Sequence, residues 1–233
     1  MLKTVFGIKN IVDDPKSIFF LLTPEEKVEL QQHSTISNYR KNEFIFKERE
    51  KPTGLISLIE GKVKIFKEGV SGRELIIRMA KPPGLIGYRA LLSNEEHIAS
   101  ALTLEEAVIC TINTDFIMNR ALKNSDFAFA IIQKLAHELA FSNDRMISLS
   151  QKHIRGRLAE ALLILKDNYG VENDGTTLRV YLSREDIANL SNMTTSNAIR
   201  TLSNFASERV IAIDGRKIKI LDAYRLDRVS KLG

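Results

Sequence analysis

Between Ser125 and Ser150 the chain runs without a single glycine or proline. Within that stretch Ile132, Leu135, Leu139, Ser142, Met146 and Leu149 follow one another at spacings of three, four, three, four and three. This is the a/d rhythm of a long helix that presents one seam. A seam suits an identical helix related by a two-fold axis. Packing the stripe on the helix's own domain is the alternative. Phe127, Phe129, Ile131 and Phe141 fall off the seam and are available for that task, so the seam itself is expected to meet a second copy. A helix of this length divides the chain, and the expected organisation is 1–124, a domain built of strands; 125–150, the dimerisation helix; and 151–233, a second domain.

What precedes the helix reads as strands. Thr23-Pro24-Glu25-Glu26 first marks a short helix, with Thr at the N-cap, Pro at N1 and acids in the first turn. Short β-rich runs then alternate with turn residues. Phe44-Ile45-Phe46 leads to Pro52-Thr53-Gly54; Leu55–Ile59 to Glu60-Gly61; Lys62–Phe66 to Gly69-Val70-Ser71-Gly72; Leu75–Ile77 to Lys81-Pro82-Pro83-Gly84. Ala107–Cys110 closes the set. Turns every ten or so residues over roughly 35–115 indicate an antiparallel barrel or sandwich. After the long helix, Leu158, Ala161, Leu162 and Leu165 give a second helix its apolar face over about 153–168. Asn173-Asp174-Gly175 then turns the chain into a short strand, Leu178–Tyr181.

The segment 183–207, SREDIANLSNMTTSNAIRTLSNFAS, carries the chemistry. Ser183 is an N-cap with Asp186 in the capping-box position. Asn192 stands where the chain must turn sharply, and Asn accepts left-handed dihedrals. Thr194 caps a second helix beginning at Thr195. Two short helices on a tight turn form a helix-turn-helix. With Thr195 at 0° and 100° per residue, Ala198, Ile199, Leu202, Phe205 and Ala206 fall between about 280° and 40°. Ser196, Asn197, Arg200, Thr201, Ser203 and Asn204 fall between about 80° and 240°. The polar face has no acid, so it can approach a duplex without repelling it. Arg200 can meet a phosphate or a guanine edge, and the Ser, Thr and Asn side chains can meet bases or phosphates. Asp214-Gly215-Arg216 then joins two alternating runs, a hairpin signal, and puts Arg216 and Lys217 at the tip of a wing.

Charge agrees with this placement. The net charge is +5. Residues 1–124 hold 18 Lys/Arg against 16 Asp/Glu, residues 125–150 hold 2 against 3, and residues 151–233 hold 14 against 10. The basic excess sits in the last third, where phosphate backbones would be attracted. With 44% hydrophobic and 27% charged residues the chain is of globular composition. It has no apolar run long enough to span a membrane, and the N-terminal stretch reaches Asp13-Asp14-Pro15 too early for a signal peptide. The expected location is the cytoplasm, with no membrane partner.

The order of parts resembles the Crp/Fnr family of bacterial transcription regulators over about residues 20–225. The most specific stretch is Leu182–Leu190 through Arg200-Thr201-Leu202. Gly215–Asp222 is similar to the family's closing wing, Ile59–Lys64 to its β-roll glycine turn, and Gly156-Arg157-Leu158-Ala159 to the start of its first DNA-domain helix. The resemblance implies an α+β chain: an antiparallel β-roll (double-stranded β-helix) sensor domain, a dimerisation helix and a winged helix-turn-helix DNA-binding domain. It also implies a homodimer on a near-palindromic operator in double-stranded DNA, with two recognition helices about 34 Å apart, and RNA polymerase as a further partner. The DNA-binding set is then Ser183, Arg184, Thr194, Thr195, Ser196, Asn197, Arg200, Asn204, Arg216 and Lys217. Thr195 and Ser196 stand where the family commonly has an Arg-Glu or Glu-Ser type pair, so the family's usual target sequence is not carried over.

The resemblance places an effector pocket at Gly84, Leu85, Ile86, Gly87, His97 and Ile98, with Ser142 and Asn143 from the long helix. Cyclic-nucleotide members hold phosphate with a Gly-Glu-Leu turn and an Arg-Ser pair. Here those positions read Gly84-Leu85-Ile86-Gly87 and His97-Ile98, which argues against cyclic AMP in that mode and leaves an unidentified small molecule. One cysteine, Cys110, cannot hold the four-cysteine iron–sulfur cluster of other members and reads as core. His33, His97, His137 and His153 are scattered, and none is marked as a haem ligand. A metal oxygenase on a similar roll would need clustered strand histidines, which are missing, and no nucleophile or phosphate-loop motif appears. No enzyme, cofactor or metal is expected. The remaining rival is a ligand-binding module whose winged helix docks protein.

Overall fold

Strand runs that are apolar at consecutive positions, as at Leu55–Ile59, need both faces covered, and the fold supplies two covers. In the computed structural model, which describes residue 7 and residues 9–69 and 72–232, two antiparallel four-stranded sheets face one another. Val70 and Ser71, part of an expected turn, lie outside the described residues, as do residues 1–6 and 8 of the N-terminal stretch and Gly233. The strands are β1 (Ser34–Tyr39), β2 (Phe44–Phe46), β3 (Gly54–Glu60), β4 (Val63–Glu68), β5 (Glu74–Ala80), β6 (Gly84–Ile86), β7 (Ser100–Thr103) and β8 (Ala107–Asn113). One sheet has the order β1-β8-β3-β6, the other β2-β7-β4-β5. The register is fixed by pairs such as Ile36 with Cys110 and Leu58 with Ile109.

Phe46, Ile56, Leu58, Val63, Ile86, Ala101 and Ile109 fill the space between the sheets. Leu55, Ile59, Leu85, Cys110 and Ile112, on the opposite face of the first sheet, pack in a second core with helical residues Ile11, Val12, Leu30, Phe116, Phe127 and Ile131. Burial on alternating sides explains why six consecutive residues of β3 are buried. The helices around this roll are α1 (Lys9–Val12), α2 (Pro24–Gln32), α3 (Tyr88–Ser93) and α4 (Thr114–Asn119). Thr23 and Glu26 form a complete capping box at the start of α2. Gly61 has φ +93, and a Cβ there would meet Glu106 O at 2.6 Å, so this turn admits glycine alone.

Helix α5 spans Ser125–Gln151. The chain clusters into two units, one of Met1–Lys67 and Arg78–Ala140, the other of Glu68–Ile77 and Phe141–Gly233, so α5 contributes to both. Of the off-seam apolar residues, Phe127 is fully buried, and Ile131 nearly so. Phe129 departs from expectation: it is 59% exposed, because at two positions from Phe127 it points away from the roll. Among seam residues, Ile132, Leu139 and Met146 are 61–65% exposed, while Leu135 packs against the helical core.

The second unit adds α6 (Ile154–Tyr169), α7 (Arg184–Leu190), α8 (Thr195–Ser207), the hairpin β9 (Ile211–Asp214) and β10 (Lys217–Ile220), and α9 (Ala223–Leu232). The strand expected at Leu178–Tyr181 does not form. Only isolated bridges occur, Val171 with Leu178 and Thr177 with Lys219. The amides of Thr176 and Thr177 are spent locally on the Asp174 carboxylate, which these bonds and the Thr177 hydroxyl hold well below the usual carboxylate range.

Candidate nucleic-acid interface

The two helices of the reading motif are set by their caps. Ser183 Oγ accepts from the Asp186 amide at 2.9 Å and its hydroxyl donates to the Asp186 carboxylate at 2.6 Å. Thr194 Oγ1 accepts from the Asn197 amide at 3.3 Å. Each satisfies one amide that a helix start leaves without a partner. Between them Asn192 adopts φ +49, the left-handed turn that its residue type permits.

Arginines that the charge count had left at the surface hold this turn from beneath. Arg157 donates from Nε to Ser191 O and from Nη2 to Asn192 O, both at 3.1 Å. Arg145, 7% exposed, donates from Nη2 to Leu190 O at 2.6 Å. Carbonyls at a helix end have no partner within the helix, and a guanidinium meets them with charge-assisted bonds. The sequence signal for Arg157 was its place in Gly156-Arg157-Leu158-Ala159; Arg145 carried none.

Along α8, Ala198, Leu202 and Phe205 are buried to 1% exposure or less. The buried arc differs from the one expected by angle. Ile199 is 48% exposed, whereas Thr201 is 7% exposed and its hydroxyl donates to Asn197 O at 2.8 Å. The threonine satisfies its own hydroxyl on the helix backbone, so burying it leaves no unpaired polar group. The buried centre therefore lies near 290°, about 50° from the expected one. The outward face then centres near 110°, on Ser196, Ser203, Arg200 and Ser207, all exposed. Asn204, Thr194 and Thr195 are exposed as well, and Asn197 is half-buried. Arg200 Nη2 donates to Asn197 Oδ1 at 2.8 Å, which extends the guanidinium along that face.

No acid stands on the face. The nearest, Glu208 at the helix end, is tied to Arg155 at 2.6 Å and Arg225 at 3.1 Å, and the Arg155 guanidinium keeps its carboxyl below the usual range. The Arg155 guanidinium also lies 4.6 Å over the Phe205 ring. In the wing, Gly215 has φ +55 and Arg216 and Lys217 are exposed. Arg184 is not free beside them: its Nη2 donates to Gly215 O at 2.6 Å, so it ties the start of α7 to the wing tip.

The expected effector residues divide. Gly84–Ile86 form β6 and Gly87, at φ +69, is the N-cap that precedes α3. His97 is 5% exposed and stacks on Phe46 with ring centroids 3.7 Å apart. A Cβ on Gly87 would lie 2.7 Å from His97 Cε1, so the ring fills the space beside this turn. Burial lowers the His97 pKa, with Arg89 adding to the effect and Glu50 opposing it. Ile98 is 55% exposed. Ser142 and Asn143 are exposed on the part of α5 that clusters with the second unit. Cys110 is fully buried, and burial pushes its thiol up to about 11, which leaves it unreactive.

Comparison with known proteins joins these two halves. Residues 36–124 match the cyclic nucleotide-binding domain and residues 156–229 the Crp-like helix-turn-helix domain. The chain is 26% identical over 193 residues to the CRP-like cAMP-activated global transcriptional regulator of Mycobacterium tuberculosis, covering 82% of this chain and 86% of that protein. It is 26% identical over 217 residues to the transcriptional activatory protein AadR of Rhodopseudomonas palustris, covering 90% and 87%. The fold is similar to that of FixK2 from Bradyrhizobium japonicum, with a TM-score of 0.76, 24% identity and coverage of 84% of this chain and 96% of that one. With a nucleotide-binding-type roll followed by a Crp-like helix-turn-helix, the chain belongs to the Crp/Fnr family of DNA-binding transcription regulators.

Proposed function

We propose that the chain works as a homodimer that sets the α8 helix of each copy into successive major grooves of a near-palindromic operator, about one helical turn apart. The observation that carries this reading is the acid-free outward face of α8, with Arg200 at its centre and Arg216 and Lys217 on the adjoining wing. In this assignment Thr195, Ser196, Asn197, Arg200 and Asn204 face the groove. Thr194, Ser183, Arg216 and Lys217 lie along the backbone, and Arg184 acts by holding the wing. Seam residues Ile132, Leu139 and Met146, each more than 60% exposed, are the surface a second copy would cover, with Leu135, Ser142 and Leu149 beside them. No described helix is long and apolar enough to cross a membrane; a DNA partner places the protein in the cytoplasm, where RNA polymerase is a further partner.

The roll is the sensing half in this reading. A cyclic phosphate held at the turn 84–87 would need a cation and a hydroxyl donor. Burial disfavours the charged form of His97, and Ile98 offers no donor, so these residues do not fit that mode. A signal would act by shifting the geometry of the helix pair and with it the spacing of the two reading heads.

Binding of the purified chain to fluorescent duplex DNA, followed across a salt series, tests the assignment. A steep fall in affinity with salt is expected from phosphate contacts. Failure to bind any duplex at low salt would overturn it in favour of a winged helix that docks protein.

A further inference from the structure

The outward face of α8 carries one side chain that hydrogen bonding and charge leave without a task. Ile199 is 48% exposed. Among the described residues it is the only apolar side chain exposed on α8. Thr195, Ser196, Arg200, Ser203, Asn204 and Ser207, the others exposed there, all carry hydrogen-bonding groups. The helix has an inner face for apolar residues, and Ala198, Leu202 and Phe205 fill it to 1% exposure or less. A large β-branched residue stands outside that face. Exposed isoleucines are ordinary on protein surfaces, so the place of this one decides its meaning. At 100° per residue Ile199 lies about 40° from Thr195 and about 60° from Ser196. These two are its neighbours at i−4 and i−3, one turn back along the helix surface. A duplex that meets Thr195, Ser196 and Arg200 from outside therefore meets Ile199 as well.

The side chain is silent to phosphates and to every donor and acceptor on a base edge. One feature of the major groove is left for it to read. The C5-methyl of thymine is the apolar group among the patterns that the four base pairs display there. A second copy does not cover the residue, since paired reading heads stand one helical turn apart on the duplex. We propose that Ile199 is a specificity-determining residue that packs on the methyl of a thymine in each half-site. The contact removes two carbon surfaces from water, a gain that follows the apolar area covered. A cytosine or an adenine in the same place turns an amino group towards the isoleucine and leaves that donor unpaired. The outward face then has two flanks. Ile199 reads a methyl on one side of Ser196, and on the other the Arg200 guanidinium, extended by its bond to Asn197 Oδ1 at 2.8 Å, meets a guanine edge or a phosphate. The inference deepens the seating of α8 in the groove and rests on it.

Sites retained by the full chain from a pool of random-sequence duplexes test this. A T·A pair is expected at one fixed place in each half-site. Deoxyuridine in place of that thymine removes the methyl and leaves the base pair intact. The parent chain is expected to lose about fourfold in affinity when one half-site is changed and about sixteenfold when both are, the effect of one buried methyl at each. Ile199→Ala should bind the thymine and uracil forms alike, with the Tm of the free protein held because the side chain stands outside the packed face. Ile199→Val should keep part of the discrimination. Equal affinity of the parent for both forms at every thymine of the selected site would overturn the assignment. So would a loss that Ile199→Ala shows in full, which would move the methyl contact to another residue such as Thr195. A retained site without a methyl effect sinks the role of Ile199 alone. A pool from which no duplex is retained sinks the seating of α8 in the groove, and the role of the isoleucine with it.

Discussion

The outward face of α8 and the turn from Gly84 to Ile98 are both places where the family resemblance expects a ligand, and the chain treats them in opposite ways. On α8 the apolar residues are drawn inward, and the polar ones are left short, uncharged by acids and open to solvent. At the turn a side chain of the protein itself, His97, lies against Phe46 and Gly87 where space would otherwise be. A surface site persists through small changes because its groups do not have to pack with one another. An interior site is closed by a single ring, since cores are filled to near crystalline density. The face of α8 is thus left open to solvent, whereas the space beside the turn is taken up by the His97 ring.

If α8 is held by its inner face, removing that face should do the most damage. Phe205→Ala deletes a fully buried ring and the support under the Arg155 guanidinium. A loss of about 3–5 kcal/mol in unfolding free energy is expected, with duplex binding lost at temperatures where the parent chain still binds. Calorimetry showing an unchanged transition would mean that the reading helix is not seated as described.

The closed turn offers the matching experiment on the other region. Gly87→Ala forces a Cβ into a left-handed backbone and to within 2.7 Å of His97 Cε1 and 3.0 Å of Phe46 Cε1. Strain of about 1–2 kcal/mol and overpacking of about 1–3 kcal/mol should together lower stability by roughly 2–5 kcal/mol in a chemical-denaturant melt, with low-salt affinity for duplex DNA unchanged below the melting range. If affinity fell instead while stability held, the contrast between an open and a closed site would fail.

The two regions were also unequally legible. Helix α5, the N-cap at Thr23, the left-handed Asn192 and the Asp214–Lys217 hairpin all follow from spacing or from one residue type in a demanding conformation. The burial of Thr201 and exposure of Ile199 did not, because both lie at the edges of the angular arc, where a rotation of about 50° changes sides. The bonds from Arg145 and Arg157 to the turn carbonyls were hidden in the charge count, since a cation in a sequence looks the same whether it meets phosphate or backbone. Tyr88 and His97 were hardest. Their neighbours come from strands and helices distant in the chain, and no local period reports such contacts.

Arg200→Ala sharpens the comparison from the exposed side. The side chain bonds only Asn197 among its described neighbours, so the thermal transition should hold while operator affinity falls by about 1–3 kcal/mol. A loss confined to the cognate duplex marks a base contact. An equal loss on every duplex, with a salt slope shallower by about one, marks a phosphate contact. Unchanged affinity for all duplexes would show that the face is misassigned.

The smallest effect belongs to the buried ring. Because burial lowers the His97 pKa, the folded protein prefers the neutral imidazole. Above about 6.5, the value of a free histidine, neither state binds the proton and His97 contributes its full share of stability. As pH falls below that value the unfolded chain takes the proton first, and stability declines until the folded pKa is passed, with a slope of at most one proton, about 1.4 kcal/mol per pH unit. Glu50 softens this decline and Arg89 steepens it. His97→Phe keeps a ring on Phe46 and removes the proton, so a comparison of Tm for the two proteins between pH 5 and 8 should show the parent losing stability towards acid more steeply than the variant. Parallel curves would mean that the imidazole takes up its proton as readily in the folded chain as in water, and the turn would then be open to solvent, as the reading face of α8 is.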